Sequence, residues 1–387
     1  MPTINRISAY LDDMREWRRD IHRYPELAYQ EQRTAGRVAG LLREFGIDEI
    51  AEGIGKTGVV GVIRNGAGPT IGLRADMDAL PITELTGLPY QSAHDGSMHA
   101  CGHDGHTTML LGAARYLTET RNFNGTVVLV FQPAEEGFAG AQAMIDDGLF
   151  TRYPVDAIYG MHNMPGLPAG TITVSPGTVM AAADAFSVAV TGRGGHGAMP
   201  HLAADPVVAA AAMVAAIQPL VSRNTDPHKT LVISVTQIHG GDAFNVIPDD
   251  VTLGGTIRYF DAEVGAAARR NLETVVSGVA AAHRVSAELD YRPGYPPTTN
   301  HAREAEFAET VAVEVTGGPA MDQPKVMGSE DFSFFLNNKP GAYAWIGNGD
   351  SATQAQLHNA HYDFNDDILP IGASFLARLA EIALARD

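Results

Sequence analysis

Three histidines and the chain's one cysteine fall within eight residues, in the run His99-Ala100-Cys101-Gly102-His103-Asp104-Gly105-His106. A thiolate and an imidazole two residues apart are good ligands for a borderline divalent metal, and Gly102 and Gly105 supply the turn freedom that a metal loop needs. The plainer reading is a buried structural cysteine beside surface histidines. Further on, the apolar strand Val127-Val128-Leu129-Val130-Phe131 runs into Gln132-Pro133-Ala134-Glu135-Glu136-Gly137. Adjacent carboxylates at a strand end repel one another unless a cation sits between or beside them, so one could ligate while the other works as a base. A solvated acidic loop is the usual fate of an isolated Glu-Glu pair. A third strand, Ala157 to Met161, ends in His162-Asn163, and Leu357-His358-Asn359-Ala360-His361 lies near the C-terminus. Taken singly, each histidine reads as a core or surface residue. Joined to Cys101, His103 and Glu136, they make a Cys, His, Glu, His, His set, enough for two metals if one ligand and a water bridge them.

One motif competes. Gly192-Arg193-Gly194-Gly195-His196-Gly197 follows a strand and matches the glycine pattern of a dinucleotide site. The third glycine should open a helix, yet Ala198, Met199 and Pro200 delay it, and the next strand ends in Gln237-Ile238-His239 without a ribose-binding acid. His196 and His201 therefore read as polar groups on a glycine-rich loop reaching toward a ligand.

The elements that must position these residues follow from periodicity. An amphipathic helix spans Ile4 to Tyr24 and stops before Pro25, and a second runs from about Gln30 to Phe45. Strands at Val59–Arg64, Thr70–Arg74, Gly125–Phe131 and Ala157–Met161 alternate with helices at His106–Thr118 and Ala139–Asp147. That alternation implies an α/β domain with a central mixed or largely parallel sheet covered on both faces. From Asp184 the order becomes βαββαβ, the signature of a ferredoxin-like unit, and the Pro-rich connector at Arg292–Thr299 marks its end. The reading is a discontinuous domain, 1–183 and 295–387, carrying an inserted domain, 184–294.

Composition bounds the function. The 387 residues are 45% hydrophobic, with 41 Gly and 22 Pro scattered rather than clustered, as in a globular protein of two or three domains. With 45 acidic against 27 basic residues the formal charge is −18, which argues against a nucleic-acid partner. A single cysteine excludes an intramolecular disulfide and favours a reducing compartment, so the expected location is cytoplasmic. Met1 to Arg19 lacks the apolar core of a signal peptide, and the apolar stretch Val207–Ile217 is about half the length needed to span a bilayer.

Several motifs in order, Asp76-Met77-Asp78-Ala79-Leu80-Pro81, Met98 to His106, Gln132 to Gly137, Gly194-Gly195-His196 with Met199-Pro200-His201, Asn245-Val246-Ile247-Pro248 and Gly328-Ser329-Glu330-Asp331-Phe332, resemble the M20 metallopeptidase family. Within it they look like the branch of aminoacylases, hippurate hydrolases and plant auxin-conjugate hydrolases. The resemblance runs from His22-Arg23-Tyr24-Pro25-Glu26-Leu27 to Asp363-Phe364-Asn365-Asp366. It implies two divalent metal ions held by Cys101, His103, Glu136, His162 and His358, with Glu135 as catalytic base. It also implies that the inserted unit is a lid and dimerisation domain, that the protein is a homodimer or higher homo-oligomer, and that His196 assists at the partner subunit's active site. Ala360 departs from the proline common in this branch.

The expected reaction is hydrolysis of the amide of an N-acyl amino acid. Arg258 and Asn245 are candidates to bind the substrate carboxylate, and Asp76 or Asp78 to orient a ligating histidine through its second nitrogen. Sulfur favours zinc; imidazole and carboxylate also accept manganese, cobalt or nickel. A di- or tripeptidase of the same family, or a non-catalytic metal-binding protein, are the alternatives.

Overall fold

The computed structural model describes residues 4–350 and 355–385; the first three residues of the N-terminal stretch read above lie outside them. In chain order the principal elements begin with α1 (Leu11–Arg23), α2 (Gln32–Phe45), β1 (Glu49–Ile54), β2 (Gly58–Asn65), β3 (Thr70–Asp76), α3 (His103–Thr120), β4 (Gly125–Gln132), β5 (Ala157–Pro165) and β6 (Ile172–Thr173). There follow β7 (Ala182–Thr191), α4 (Pro206–Ser222), β8 (Leu231–His239), β9 (Asp250–Tyr259), α5 (Ala262–His283) and β10 (Ser286–Tyr295). The chain finishes with α6 (Ala302–Thr316), β11 (Gly341–Gly349) and α7 (Leu369–Ala383).

Two compact units result, one of Met1–Gly177, Thr299–Pro324 and Asp331–Asp387, the other of Thr178–Thr298 with Lys325–Glu330. The larger holds a seven-stranded mixed sheet in the order β1-β2-β4-β3-β5-β11-β6. Its centre is parallel, β4 with β3, β3 with β5, and β5 with β11, while β1, β2 and β6 pair antiparallel at the edges. The central strands are apolar almost throughout, as burial on both faces demands; Val127, Leu129, Phe131, Leu73 and Ile158 are fully buried. Helix α3, with Met109 to Ala114 inside the core, packs against the sheet and α7.

The smaller unit is a four-stranded antiparallel sheet in the order β8-β9-β7-β10, with α4 and α5 supplying the apolar residues that pack on it. Strand order and the βαββαβ succession make it ferredoxin-like. Asp205 caps α4 by accepting from the backbone N–H of Val207 and Val208, and Pro206 occupies the first turn.

Four readings of the sequence need correction. The N-terminal helix is broken at Ala9–Tyr10 into Asn5–Ser8 and α1. Strand β1 was not expected, because Glu49-Ile-Ala-Glu-Gly-Ile is a half-exposed edge strand without clear alternation. Arg292–Tyr295 is not a connector but the end of β10, a Pro-bearing edge strand whose register shifts there. Helix α3 starts at His103 rather than His106, with Gly102 as its left-handed cap. No helix among the described residues is long and apolar enough to cross a membrane.

Candidate metal centre

Neighbouring parallel strands β4, β3 and β5 all point their carboxyl ends the same way, so the residues that end or follow them collect at one edge of the sheet. Strand β3 brings Asp76 and, two residues on, Asp78; β4 ends at Gln132 and leads to Glu135 and Glu136; β5 carries His162. The start of α3 delivers Cys101 and His103 to that edge. This delivery requires Gly102: its φ is +90°, and a Cβ there would stand 2.3 Å from Asn163 Nδ2 and 2.5 Å from the Tyr362 hydroxyl. Ala134 and His358 also take left-handed backbone conformations, at φ 56° and 61°, an unfavourable state for non-glycine residues that clusters at working sites.

Donor atoms of Cys101, His103 and His162 lie within 4.8 Å of one another, and so do those of Cys101, Glu136 and His358. Cys101 is common to both triads. The second nitrogen of each buried histidine is already committed. His103 Nδ1 donates to the Asp78 backbone carbonyl at 2.9 Å and stands 3.2 Å from its carboxylate, while His162 Nδ1 donates to the Asn163 carbonyl at 2.6 Å. Both imidazoles therefore turn Nε2 toward the site as the atom free to ligate once unprotonated, and His162 Nε2 is 3.4 Å from Cys101 Sγ. Asp78 does double duty, since its other oxygen accepts from the backbone N–H of Glu136 at 2.9 Å.

The fit to a metal rests on atoms left unmatched. His103 Nε2 and Glu136 Oε1 are buried and neither makes a hydrogen bond. Leaving such a group unsatisfied costs about 1–3 kcal/mol, and a cation held by both removes the cost. Burial, with Glu136, Glu135 and Asp76 adding to it, pushes the Cys101 thiol well up. Burial opposes charge on His103, but Asp76, Asp78 and Glu136 outweigh it and raise its pKa to about 10. Burial and the neighbouring His106 hold His162 well below the ordinary imidazole range. A site this rich in negative charge and soft nitrogen and sulfur donors suits a divalent ion of the zinc or manganese type.

A third cluster, Asp76, His103 and His106, is also close enough for a metal, but its donors are taken. Asp76 accepts from His106 Nδ1 at 2.7 Å and from Arg74 Nη1 at 2.8 Å, and His106 Nε2 accepts the backbone N–H of Asn163 at 2.9 Å. Of the two aspartates considered from the sequence, Asp78 orients a candidate ligand; Asp76 orients His106, which has no lone pair left to offer. His106, Arg74, Asn163 and Asp331 escaped the sequence reading. His106, Asn163 and Asp331 sit inside segments already noted and Arg74 ends a strand already read, but only long-range partners reveal their use.

Glu135, mostly buried, accepts from the backbone N–H of Asp331 at 3.4 Å. His196 belongs to the smaller unit, in a short ribbon of Gly195–His196 with Val246–Ile247, and is exposed. Asn245 is tied to that ribbon by its carbonyl, which accepts from Gly197 N–H at 2.7 Å. Arg258 lies half-buried on β9, 3.4 Å from Ser329 Oγ.

Residues 72–382 match the model of peptidase family M20/M25/M40. The hippurate hydrolase of Campylobacter jejuni is 44% identical over 383 residues, spanning 97% of this chain and 99% of that protein. IAA-amino acid hydrolase ILR1-like 2 of Arabidopsis thaliana is 42% identical over 95% of this chain and 84% of its own. Among solved structures, a Bacillus subtilis dinuclear metal binding peptidase from the M20 family superposes with a TM-score of 0.86 at 35% identity, covering 97% of this chain and 99% of that one.

Proposed function

Because the chain belongs to peptidase family M20/M25/M40 and is a metal-dependent hydrolase, we propose that it cleaves the amide bond of hippurate-like N-acyl-L-amino acids, releasing a carboxylic acid and a free amino acid. The observation that carries this reading is the pair of donor triads sharing Cys101, with the carboxylate of Glu135 beside them. Cys101, His103, Glu136, His162 and His358 would hold two divalent ions. Bound there, such ions polarise a carbonyl and make water more acidic.

The chain's own residues do the rest. Glu135 takes the proton of the attacking water and passes it to the departing nitrogen. Asp78 keeps His103 in the tautomer that exposes Nε2 and fixes the Glu136 backbone. His196 is the proposed donor to the oxyanion, and Asn245 and Arg258 are the proposed partners of the substrate carboxylate. A homodimer is the proposed assembly. A hippurate hydrolase and an IAA-amino acid hydrolase among the relatives support benzoyl and indole-acetyl substrates, and N-acetylcysteine deacetylases among them support acetyl substrates as well.

The test is release of free amino acid from N-benzoyl, indole-acetyl, N-acetyl and longer N-acyl amino acids, with dipeptides alongside, using metal-stripped protein reloaded with zinc or manganese. Metal-dependent release from the aromatic acyl class is the expected result, and cleavage of dipeptides alone would move the protein to the peptidase side of the family. In the Glu135→Gln variant kcat should fall by about 10²–10⁴ with metal content unchanged. Wild-type turnover in that variant would remove Glu135 as the base.

A further inference from the structure

We propose that Arg74 is a positioning residue that ties the Glu135 loop to the strand ends carrying the metal-site donors, through Asp331 on one side and Asp76 on the other. The inference rests on the reading of Glu135 as base. Arg74 lies in β3 among Leu73 and Ala75, fully buried, where a guanidinium is costly unless its donors are used. They are used. Nε donates to Gln132 Oε1 at 2.7 Å, Nη1 to Asp76 Oδ2 at 2.8 Å and to the Tyr343 hydroxyl at 3.3 Å, and Nη2 to Asp331 Oδ1 at 3.1 Å.

On the first side, Asp331 clamps both ends of the loop that carries the base. Its oxygens accept from Gln132 Nε2 at 2.8 and 2.9 Å, where β4 ends, and Oδ2 accepts from the Ala141 N–H at 2.9 Å, in the helix that follows the loop. Its own backbone N–H points at Glu135 Oε1. The turn between, with Ala134 and Ala139 both at positive φ, is a strained path that such clamps hold in place.

On the second side, Asp76 receives His106 Nδ1–H. A backbone N–H can only donate, so the Asn163 N–H at His106 Nε2 makes this imidazole the neutral Nδ1–H tautomer. Asn163 follows His162, and its side-chain amide donates to the Cys101 carbonyl at 2.6 Å. One fork thus reaches the base in one direction and two metal-site residues in the other. Fold stability alone does not call for this arrangement, since apolar residues of similar volume replace buried ion pairs at little or no cost in other proteins.

The two sides predict different losses. Arg74→Lys keeps the charge but loses the fork; Asp331→Asn keeps the shape but loses the clamp on the base loop. At saturating metal, kcat on the best N-acyl substrate should fall about 10–100-fold in both variants with KM within about threefold. In competition with a chelator, Arg74→Lys should bind metal about tenfold more weakly, whereas Asp331→Asn should match wild type. A purely structural role would lower the melting temperature and leave these values unchanged in the folded fraction. Wild-type kcat in both metal-loaded variants overturns the proposal, and so does an unchanged metal affinity in Arg74→Lys. If Arg74→Lys does not fold, Asp331→Asn carries the test on kcat alone. A wild-type protein silent on every acyl substrate would sink the proposed reaction, and the chelator competition would still decide whether Arg74 positions the metal donors.

Discussion

His22 lends itself to a quantitative test, because a histidine buried between two carboxylates couples stability to pH. Its ring is fully buried on α1, with Nδ1 2.8 Å from Asp104 Oδ2 and Nε2 3.2 Å from Glu84 Oε2. Burial alone would lower its proton affinity, but the bonds to Asp104 and Glu84 outweigh it and raise the pKa from 6.5 to about 9. Between those values the folded chain holds a proton that the unfolded chain has released, so raising the pH penalises the folded state. The stabilisation is complete below pH 6.5 and lost as pH rises through 9. At about 1.4 kcal/mol per pH unit the interval is worth about 3 kcal/mol. The assay is urea unfolding of wild type and His22→Gln from pH 6 to 10, both with excess chelator so that metal linkage drops out. The difference in unfolding free energy should shrink by about 3 kcal/mol between pH 6 and pH 10, nearly all of it above pH 6.5. A difference that stays constant across the range would refute the charged His22 and its ion pairs with Asp104 and Glu84.

Two more outcomes follow from the site. Gly102→Ala should destabilise the chain by at least about 1–2 kcal/mol, because it combines a left-handed φ with a Cβ against Asn163 and Tyr362; thermal unfolding of the metal-free protein checks this. Asp78→Ala should weaken metal binding about 10–100-fold by freeing the His103 ring and the Glu136 backbone, read as metal retained after dialysis against a graded chelator series.

Much of the site was legible because ligand chemistry is local. Cys101 and His103 are two residues apart, Glu135 and Glu136 are adjacent, and the apolar strands before Glu135 and His162 announce where those side chains emerge. The α/β alternation and the βαββαβ insertion were readable for the same reason, since periodicity belongs to single elements. What stayed hidden depends on partners far apart in the chain. Lys325–Glu330 returns to the smaller unit with no change of composition to signal it. The role of Asp331 needs Gln132, 199 residues away, and His22 meets Asp104 across 82 residues.

By itself, then, the sequence determined the donor types, the family and the order of the elements. Only the tertiary structure decided which of two aspartates serves a candidate ligand, that His106 is spent on Asp76 and Asn163, and that Cys101 belongs to both triads. The physical reason is that a side chain's type sets what it can bind. Which lone pair or proton remains available is set by the hydrogen bonds that burial forces it to make, and those are formed by strands and helices brought together from distant parts of the chain.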